Sequence, residues 1–215
     1  WISDQRYSGE IQWIVVDDGR TPTECTMGQT YIRERPMEGH SLSRNLGAAY
    51  PHIKGEHIFV IEDDDYYGPD YLSVMVGRLQ HADLVGEFGA KYYYIQRKMW
   101  RHNHGTEKHA SLCRTGMNKS VMPCLWNCIH NTDHPSVDLR LWSEWAGSAF
   151  SWKDTKGDSR MCVGIKGVEG RQSYGWRPSP NSRSDPDLNT LQLWVGEGFN
   201  HYSTLTFNNK IGRHA

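Results

Sequence analysis

The sequence predicts an α/β fold, a three-layer α/β/α sandwich with a mixed central sheet. Three observations carry that expectation. Two apolar runs, IQWIVVDD (11–18) and HIFVIEDDD (57–65), each end abruptly in acids, the pattern of strands buried on both faces with a polar loop at the carboxyl end. Segments with helical spacing follow them, which gives the strand–helix–strand–helix rhythm of a parallel sheet. From 82 to 100 the chain changes to alternating aromatic residues, pointing to β structure that crosses to an antiparallel edge.

In chain order, WISDQRY (1–7) has the look of a helix end, stopped at Ser8–Gly9. After the first strand, residues 20–30 are polar and turn-like, and TYIRERP (30–36) is a short second strand ended by Pro36. EGHSLSRNLGAAY (38–50) is a loop entering a helix, with Ser41 or Ser43 as cap and Leu42, Leu46 and Ala49 on one face. PDYLSVMVGRLQ (69–80) starts a helix, with Pro69 in its first turn, Asp70 near its positive end and a stripe of Leu72, Met75, Val76 and Leu79. HASLCR (109–114) has strand character, MNKSVMPCLW (117–126) that of a short helix or turn. SVDLRLWSEWAG (136–147) is a helix capped by Ser136. Residues 153–187, rich in Gly, Ser, Pro, Lys and Arg, suggest a mobile loop, and DLNTLQLWVGE (187–197) closes as an amphipathic helix.

Length and charge bound the function. The 215 residues fit one domain, which at this size buries about 70% of its unfolded surface. Lys and Arg total 24 against 25 Asp and Glu, a formal charge of −1, which argues against broad nucleic-acid electrostatics. Nine Trp and eleven Tyr are common where a protein holds sugars or other flat ligands, and equally in a ring-rich core. No run approaches 18 apolar residues, so no membrane span is expected. Five cysteines, none in a CxxC pair, disfavour a disulfide scaffold and fit a reducing cytoplasm. The chain opens on Trp1 without an initiator Met, as a trimmed chain would.

The chemistry concentrates at two strand ends, Asp17–Asp18 and Glu62–Asp63–Asp64–Asp65. In open parallel sheets ligands collect beyond the carboxyl ends of the strands. Consecutive carboxylates repel unless a cation compensates, and hard divalent ions such as Mn²⁺ or Mg²⁺ prefer oxygen donors. Along an extended end alternate residues point the same way, so Glu62 and Asp64 converge on one side. The other reading of this run is an exposed acidic turn. Arg44–Asn45 lies between the clusters, placed to meet phosphate oxygens or to tie down an acid. Asp138, between Val137 and Leu139, is either a general base or a helix-start acid. Cys124, Cys128, His130 and His134 suggest zinc, but a one-residue middle linker is too short for the common spacing, which favours buried thiols. No Walker loop, G-x-S-x-G elbow or G-x-G-x-x-G fingerprint occurs.

QRYSGEIQWIVVDDG followed by EGHSLSRNLGAAYPHIKGEHIFVIEDDDYYGPDYL resembles glycosyltransferase family 2 and related enzymes of the Rossmann-like GT-A fold. The likeness covers about residues 1–81, with five elements in the family's order, and is loose beyond residue 100. The family's first strand would precede Trp1. The resemblance implies an inverting glycosyltransferase that moves a sugar from a nucleoside-diphosphate sugar donor to an acceptor hydroxyl, with a divalent metal on the pyrophosphate. It implies that Asp17 or Asp18 holds the base or ribose and that Arg44 and Asn45 line that pocket. It places the metal motif at Glu62, Asp63 and Asp64, with Asp64 the principal contact, or one residue later at Asp63–Asp64–Asp65. Asp138 takes the place of the base, His201 that of a late metal ligand, and GIKGVEGR (164–171) that of a basic loop over the phosphates. The implied division is a donor half, 1–100, and an acceptor half with its closing loop, 101–215. The rings of KYYY (91–94) and LWSEW (141–145) are candidate stacking walls. A basic stretch, RQSYGWRPSPNSR (171–183), is a candidate acceptor patch for a glycan, lipid-linked, protein or nucleic-acid acceptor. The alternatives are a catalytically silent nucleotide- or sugar-binding domain and a sugar nucleotidyltransferase of related fold.

Overall fold

In a computed structural model, residues 2–25, 29–37, 39–103, 105–130, 136–153, 161–169 and 177–207 are described. The first apolar run forms β1 (Ile14–Asp17), paired in parallel with β2 (Thr30–Arg33). Helix α1 (Leu42–Ala49) leads to β3 (His57–Phe59), and the two-residue β4 (Tyr66–Tyr67) follows the acidic run. Helix α2 (Tyr71–Leu79), β5 (Leu84–Phe88), β6 (Lys91–Tyr94), β7 (Met99–His102) and β8 (Thr115–Asn118) come next. Then follow α3 (Met122–His130), α4 (Val137–Glu144), β9 (Ala149–Lys153), β10 (Cys162–Lys166), β11 (Arg183–Ser184), α5 (Asn189–Val195) and α6 (Phe199–Phe207).

The sandwich is built on a four-stranded sheet, β3–β8–β5–β9, in which β8 runs antiparallel to β3 and β5 while β9 runs parallel to β5. Alternation across the strands divides its residues between two layers. Ile58, Leu84 and Met117 face one side and pack on Leu125 and Ile129 of α3 and Val137 and Leu141 of α4, with Leu42 and Leu46 of α1 at the margin. Phe59 and Val85 face the other side and meet Leu72, Met75 and Leu79 of α2. Gly116 lies on that second face, where a Cβ would stand 2.6 Å from the Phe59 ring, so glycine lets β8 lie flat beneath it. Met75, Leu84, Val85, Met117 and Leu141 have no solvent exposure at all.

A second sheet, β11–β7–β6–β10–β4, is covered by α5 and α6 through Leu191, Trp194, Val195 and Tyr202. Here β10 pairs parallel to β6 and antiparallel to β4. The β1–β2 pair is a separate two-stranded ladder, so among the described residues the mixed sheet of the fold is hydrogen-bonded in three parts.

Several expectations need correction. IQWIVVDD is not buried on both faces: Ile14–Val16 are only half-buried, because a two-stranded ladder has one neighbour and little cover. HASLCR is not a strand. Leu112–Arg114 form a tight turn of helix whose side chains are buried, and the strand begins only at Thr115. The polar stretch 153–187 is not one loop, since it contains β10, whose five residues are all buried. The aromatic run KYYY is chiefly core: Tyr93 and Tyr94 are buried and Tyr92 is half-buried.

Candidate active site

The first acid pair divides into two different environments. Asp17, at the end of β1, has both carboxylate oxygens occupied. Its Oδ1 accepts the Gly19 amide at 2.8 Å and pairs with Arg33 Nη1 at 3.1 Å. Its Oδ2 accepts the Thr23 amide and the Tyr31 hydroxyl, each at 2.7 Å. Burial pushes its pKa up, but the Thr23 amide, Tyr31 hydroxyl, Gly19 amide and Arg33 together outweigh it and hold the carboxyl below its ordinary range. Asp17 is thereby the pin of the 17–23 loop and the β2 end. Asp18 turns the other way, toward α1. Its Oδ2 accepts Asn45 Nδ2 at 3.0 Å and Arg44 Nη2 at 3.2 Å, and its side chain remains 27% exposed. Burial opposes its charge too, but the Ser41 hydroxyl, Asn45 and Arg44 lower its pKa. The hydroxyl expected to cap α1 is thus engaged with Asp18, and Ser41 makes no cap bond to its own helix.

The second acid run is sorted by depth. Asp63 is exposed, Glu62 and Asp64 are half-buried, and Asp65 is wholly buried. One carboxylate oxygen from each of Glu62, Asp64 and Asp65 lies within 4.8 Å of the others. The group is brought together by a turn, in which the Asp65 amide donates to Glu62 O at 3.3 Å, and not by the alternation of an extended strand end, and Asp63 stands outside it. Asp65 does what neither reading of the motif anticipates. Where the backbone pairing of β4 with β10 ends at Tyr66–Val163, its Oδ1 accepts the Ile165 amide at 2.9 Å and Lys166 Nζ at 3.1 Å. Lys166 Nζ also stands 3.8 Å from Glu62 Oε2. Burial works against this ammonium, but Asp65 and Glu62 outweigh it and keep it charged. Glu62 is pushed up to about 7 by burial and by the charge of Asp65, with Lys166 opposing.

These donors fit a hard divalent cation. All are carboxylate oxygens, they are close enough to share one ion, and Oδ2 of buried Asp65 has no hydrogen-bond partner among the described residues. Lys166 neutralises part of the cluster from beneath, which lets it hold its shape.

Asp138 stands in the first turn of α4. Its Oδ1 accepts the Leu139 amide at 2.9 Å, and its Oδ2 meets His109 Nε2 at 3.1 Å. The helix is set by Leu141 and Val137 in the core and by Trp142, whose Nε1 donates to Thr115 Oγ1 at 3.1 Å. Gly86 admits that contact: a Cβ there would meet Ala110 at 2.5 Å and Trp142 at 2.6 Å.

Other candidates fall outside this centre. His201 is exposed on α6 against the Tyr202 ring and is not grouped with the acids. Lys166 is a buried strand residue, so the start of GIKGVEGR is no loop over phosphates, and residues 170–176 lie outside the described residues. All five cysteines are unpaired; Cys128 is buried, His130 stacks on Trp126, and His134 lies outside the described residues. Lys166 and His109 are the residues that sequence reasoning missed. Lys166 sat in a stretch dominated by loop-forming residues, and His109 was one of eleven His.

An α/β sandwich with acids gathered beyond its strand ends, one set tied to a helix start by Arg44 and Asn45, has the architecture of the GT-A class. The sequence profile of glycosyl transferase family 2 matches residues 2–131, and the chain belongs to that family. Among solved structures, S. aureus TarS superposes with a TM-score of 0.54 at 10% identity, covering 79% of this chain and 34% of that one. The chain thus spans about a third of that protein's length. HddC from Yersinia pseudotuberculosis (TM-score 0.36, 14% identity, 59% of each chain) and A197 from STIV (0.37, 10%, 66% of this chain and 81% of that one) are more distant and carry no argument. No curated protein matches the sequence. No helix among the described residues is long and apolar enough to cross a membrane.

Proposed function

We propose that this chain is an inverting, metal-dependent glycosyltransferase that moves a sugar from a nucleoside-diphosphate sugar to an acceptor hydroxyl. The observation that carries the reading is the convergence of one carboxylate oxygen from each of Glu62, Asp64 and Asp65 within 4.8 Å, in a chain of glycosyl transferase family 2. Glu62 and Asp64 would hold Mn²⁺ or Mg²⁺, with Asp65 beneath them. The ion supplies positive charge against the diphosphate as it leaves. Asp18, with Arg44 and Asn45, contacts the nucleoside, because its side chain stays 27% exposed while that of Asp17 is 7% exposed with both oxygens occupied. Asp138 takes the proton of the acceptor hydroxyl as that oxygen attacks the anomeric carbon opposite the diphosphate. Residues 1–100 act as the donor half and 101–215 as the acceptor half, with Lys166 reaching from the second into the first.

The test is turnover of UDP-glucose, UDP-N-acetylglucosamine, GDP-mannose and dTDP-rhamnose with and without Mn²⁺, first with water as acceptor. Mn²⁺-stimulated release of nucleoside diphosphate is expected from at least one donor. Asp64→Ala should remove the metal dependence, and Asp138→Asn should cut turnover by roughly 10²–10⁴-fold while donor binding persists. Tight donor binding with no turnover under any condition would instead identify a silent sugar-nucleotide-binding domain.

A further inference from the structure

The contact between His109 and Asp138 joins residues 29 positions apart, and neither neighbouring element requires it. Asp138 would be stable at its helix start without a histidine, and His109 lies in an exposed loop with no need of a carboxylate. Both side chains are about three-quarters covered, at 28% and 22% exposure, so the contact is shielded but reachable.

We propose that His109 is a positioning residue for Asp138, the base of the reaction proposed above. An ionised carboxylate can only accept hydrogen bonds, so the imidazole nitrogen facing Oδ2 carries the hydrogen. With Leu139 N–H on Oδ1 and His109 Nε2–H on Oδ2, the carboxylate is held from both sides and cannot rotate about its Cβ–Cγ bond. The remaining lone pairs are then presented in one fixed direction to an incoming hydroxyl. That is worth having, because a base displaced by about 1 Å can lose roughly 10²-fold in rate.

The loop that carries His109 is built to hold it. The His109 amide closes a turn onto Thr106 O at 3.2 Å, and Ser151 Oγ of β9 donates to Glu107 O. The next residue, Ala110, is buried on Gly86 beside Trp142, the residue that seats α4. The same glycine therefore sets the register of both partners, so the imidazole and the carboxylate are located relative to one strand.

The test uses the full 215-residue chain, the four sugar nucleotides named above and Mn²⁺, with His109→Ala, His109→Gln, Asp138→Asn and the His109→Ala/Asp138→Asn double variant. His109→Ala should lower kcat about 10- to 100-fold with donor KM within about twofold. Gln places an amide N–H near the Nε2 position and should recover most of that loss. In the Asp138→Asn background the alanine change should add nothing, since a residue that acts through Asp138 has no effect once the carboxylate is gone. Independently of turnover, ¹⁵N-edited NMR should show His109 bearing hydrogen on Nε2, with a slowly exchanging ring proton that disappears in Asp138→Ala. A wild-type chain that turns over no donor overturns the proposed function and this inference with it. A wild type that is active and depends on Asp138, while His109→Ala has full kcat or an unchanged double-variant penalty, overturns the inference alone. So does a His109 ring proton indifferent to Asp138→Ala.

Discussion

The two aspartates at the end of β1 should separate when each is truncated to alanine. Asp17 accepts two backbone amides, a tyrosine hydroxyl and an arginine, all within 3.1 Å, and only 7% of its side chain is exposed. Truncation leaves the Gly19 and Thr23 amides and the Tyr31 hydroxyl without their acceptor. Arg33 keeps partners, because it also donates to the carbonyls of Asp17 and Gly19. Three lost hydrogen bonds at about 1 kcal/mol each, with water able to reach part of this thinly covered loop, give about 2–3 kcal/mol. For a domain of this length that is a fall in Tm of roughly 4–12 °C. Asp18 is held by Arg44, Asn45 and the Ser41 hydroxyl but is more open and accepts none of the loop amides that Asp17 holds, so its truncation should cost about 0.5–1 kcal/mol and move Tm by at most about 4 °C. Its effect should fall instead on donor affinity, by tenfold or more. Differential scanning calorimetry and titration of UDP and GDP would measure both. The reasoning fails if Asp17→Ala melts with the wild type, or if Asp18→Ala loses as much Tm as Asp17→Ala while binding nucleotide normally. The pH dependence has a definite sign: the pKa of Asp17 is lowered on folding, so its stabilisation is present above the ordinary aspartate range and is lost as acid protonates it.

Three further expectations rest on the same geometry. Because Glu62 titrates near 7, its carboxylate is mostly protonated at pH 6 and mostly ionised at pH 8, so Mn²⁺ affinity by calorimetry should rise about tenfold across that range with proton release at pH 7; a flat profile would remove Glu62 from the ligand set. Lys166→Met leaves Asp65 buried without its cation and should cost about 3–5 kcal/mol in urea unfolding, with Asp65→Asn in the same chain recovering part of it. Equal stability of Lys166→Met and wild type would show that the pair contributes nothing. Gly86→Ala should drive Ala110 and Trp142 apart, at about 1–3 kcal/mol, and should lower turnover more than donor binding.

What the sequence made legible follows from which interactions are local. The acid-ended strands, the Asp70 start of α2 and its buried Leu72, Met75 and Leu79 are set by residues within a turn or two of one another, and periodicity reports them. Gln5 shows the next distance out. Its side chain donates to Gly68 O at 2.8 Å and accepts the Leu72 amide at 3.0 Å, so the amino end caps the α2 entrance in place of a local serine. A motif can mark such a residue, but it does not say what the residue does. β10 escaped because its strand is five residues long and flanked by Gly, Ser and Lys, and because its burial depends on β6 and β4, about 70 and 100 residues away.

The acid run carries that argument furthest. Four consecutive carboxylates in a sequence look equivalent, and choosing the metal motif among them by register alone treats their side chains as interchangeable. The chain resolves them by depth: Asp63 is exposed, Glu62 and Asp64 are half-buried in the shared group, and Asp65 is wholly buried against the Ile165 amide and the Lys166 ammonium. The deepest acid thus acts first as a strand partner, continuing with its side chain the ladder that β4 is too short to finish. A cation from the same β10 strand compensates the charge it buries. The near-zero formal charge of the whole chain conceals this pairing, because a net count sums what the fold has placed at contact distance. Of the half-buried acids above, Glu62 is pushed up to about 7 by burial and Asp65, against the Lys166 ammonium that reaches it from the second half of the sequence. Loss of Lys166 should therefore be read at two places at once, in the stability of the β4–β10 ladder and in the pH at which Glu62 gives up its proton.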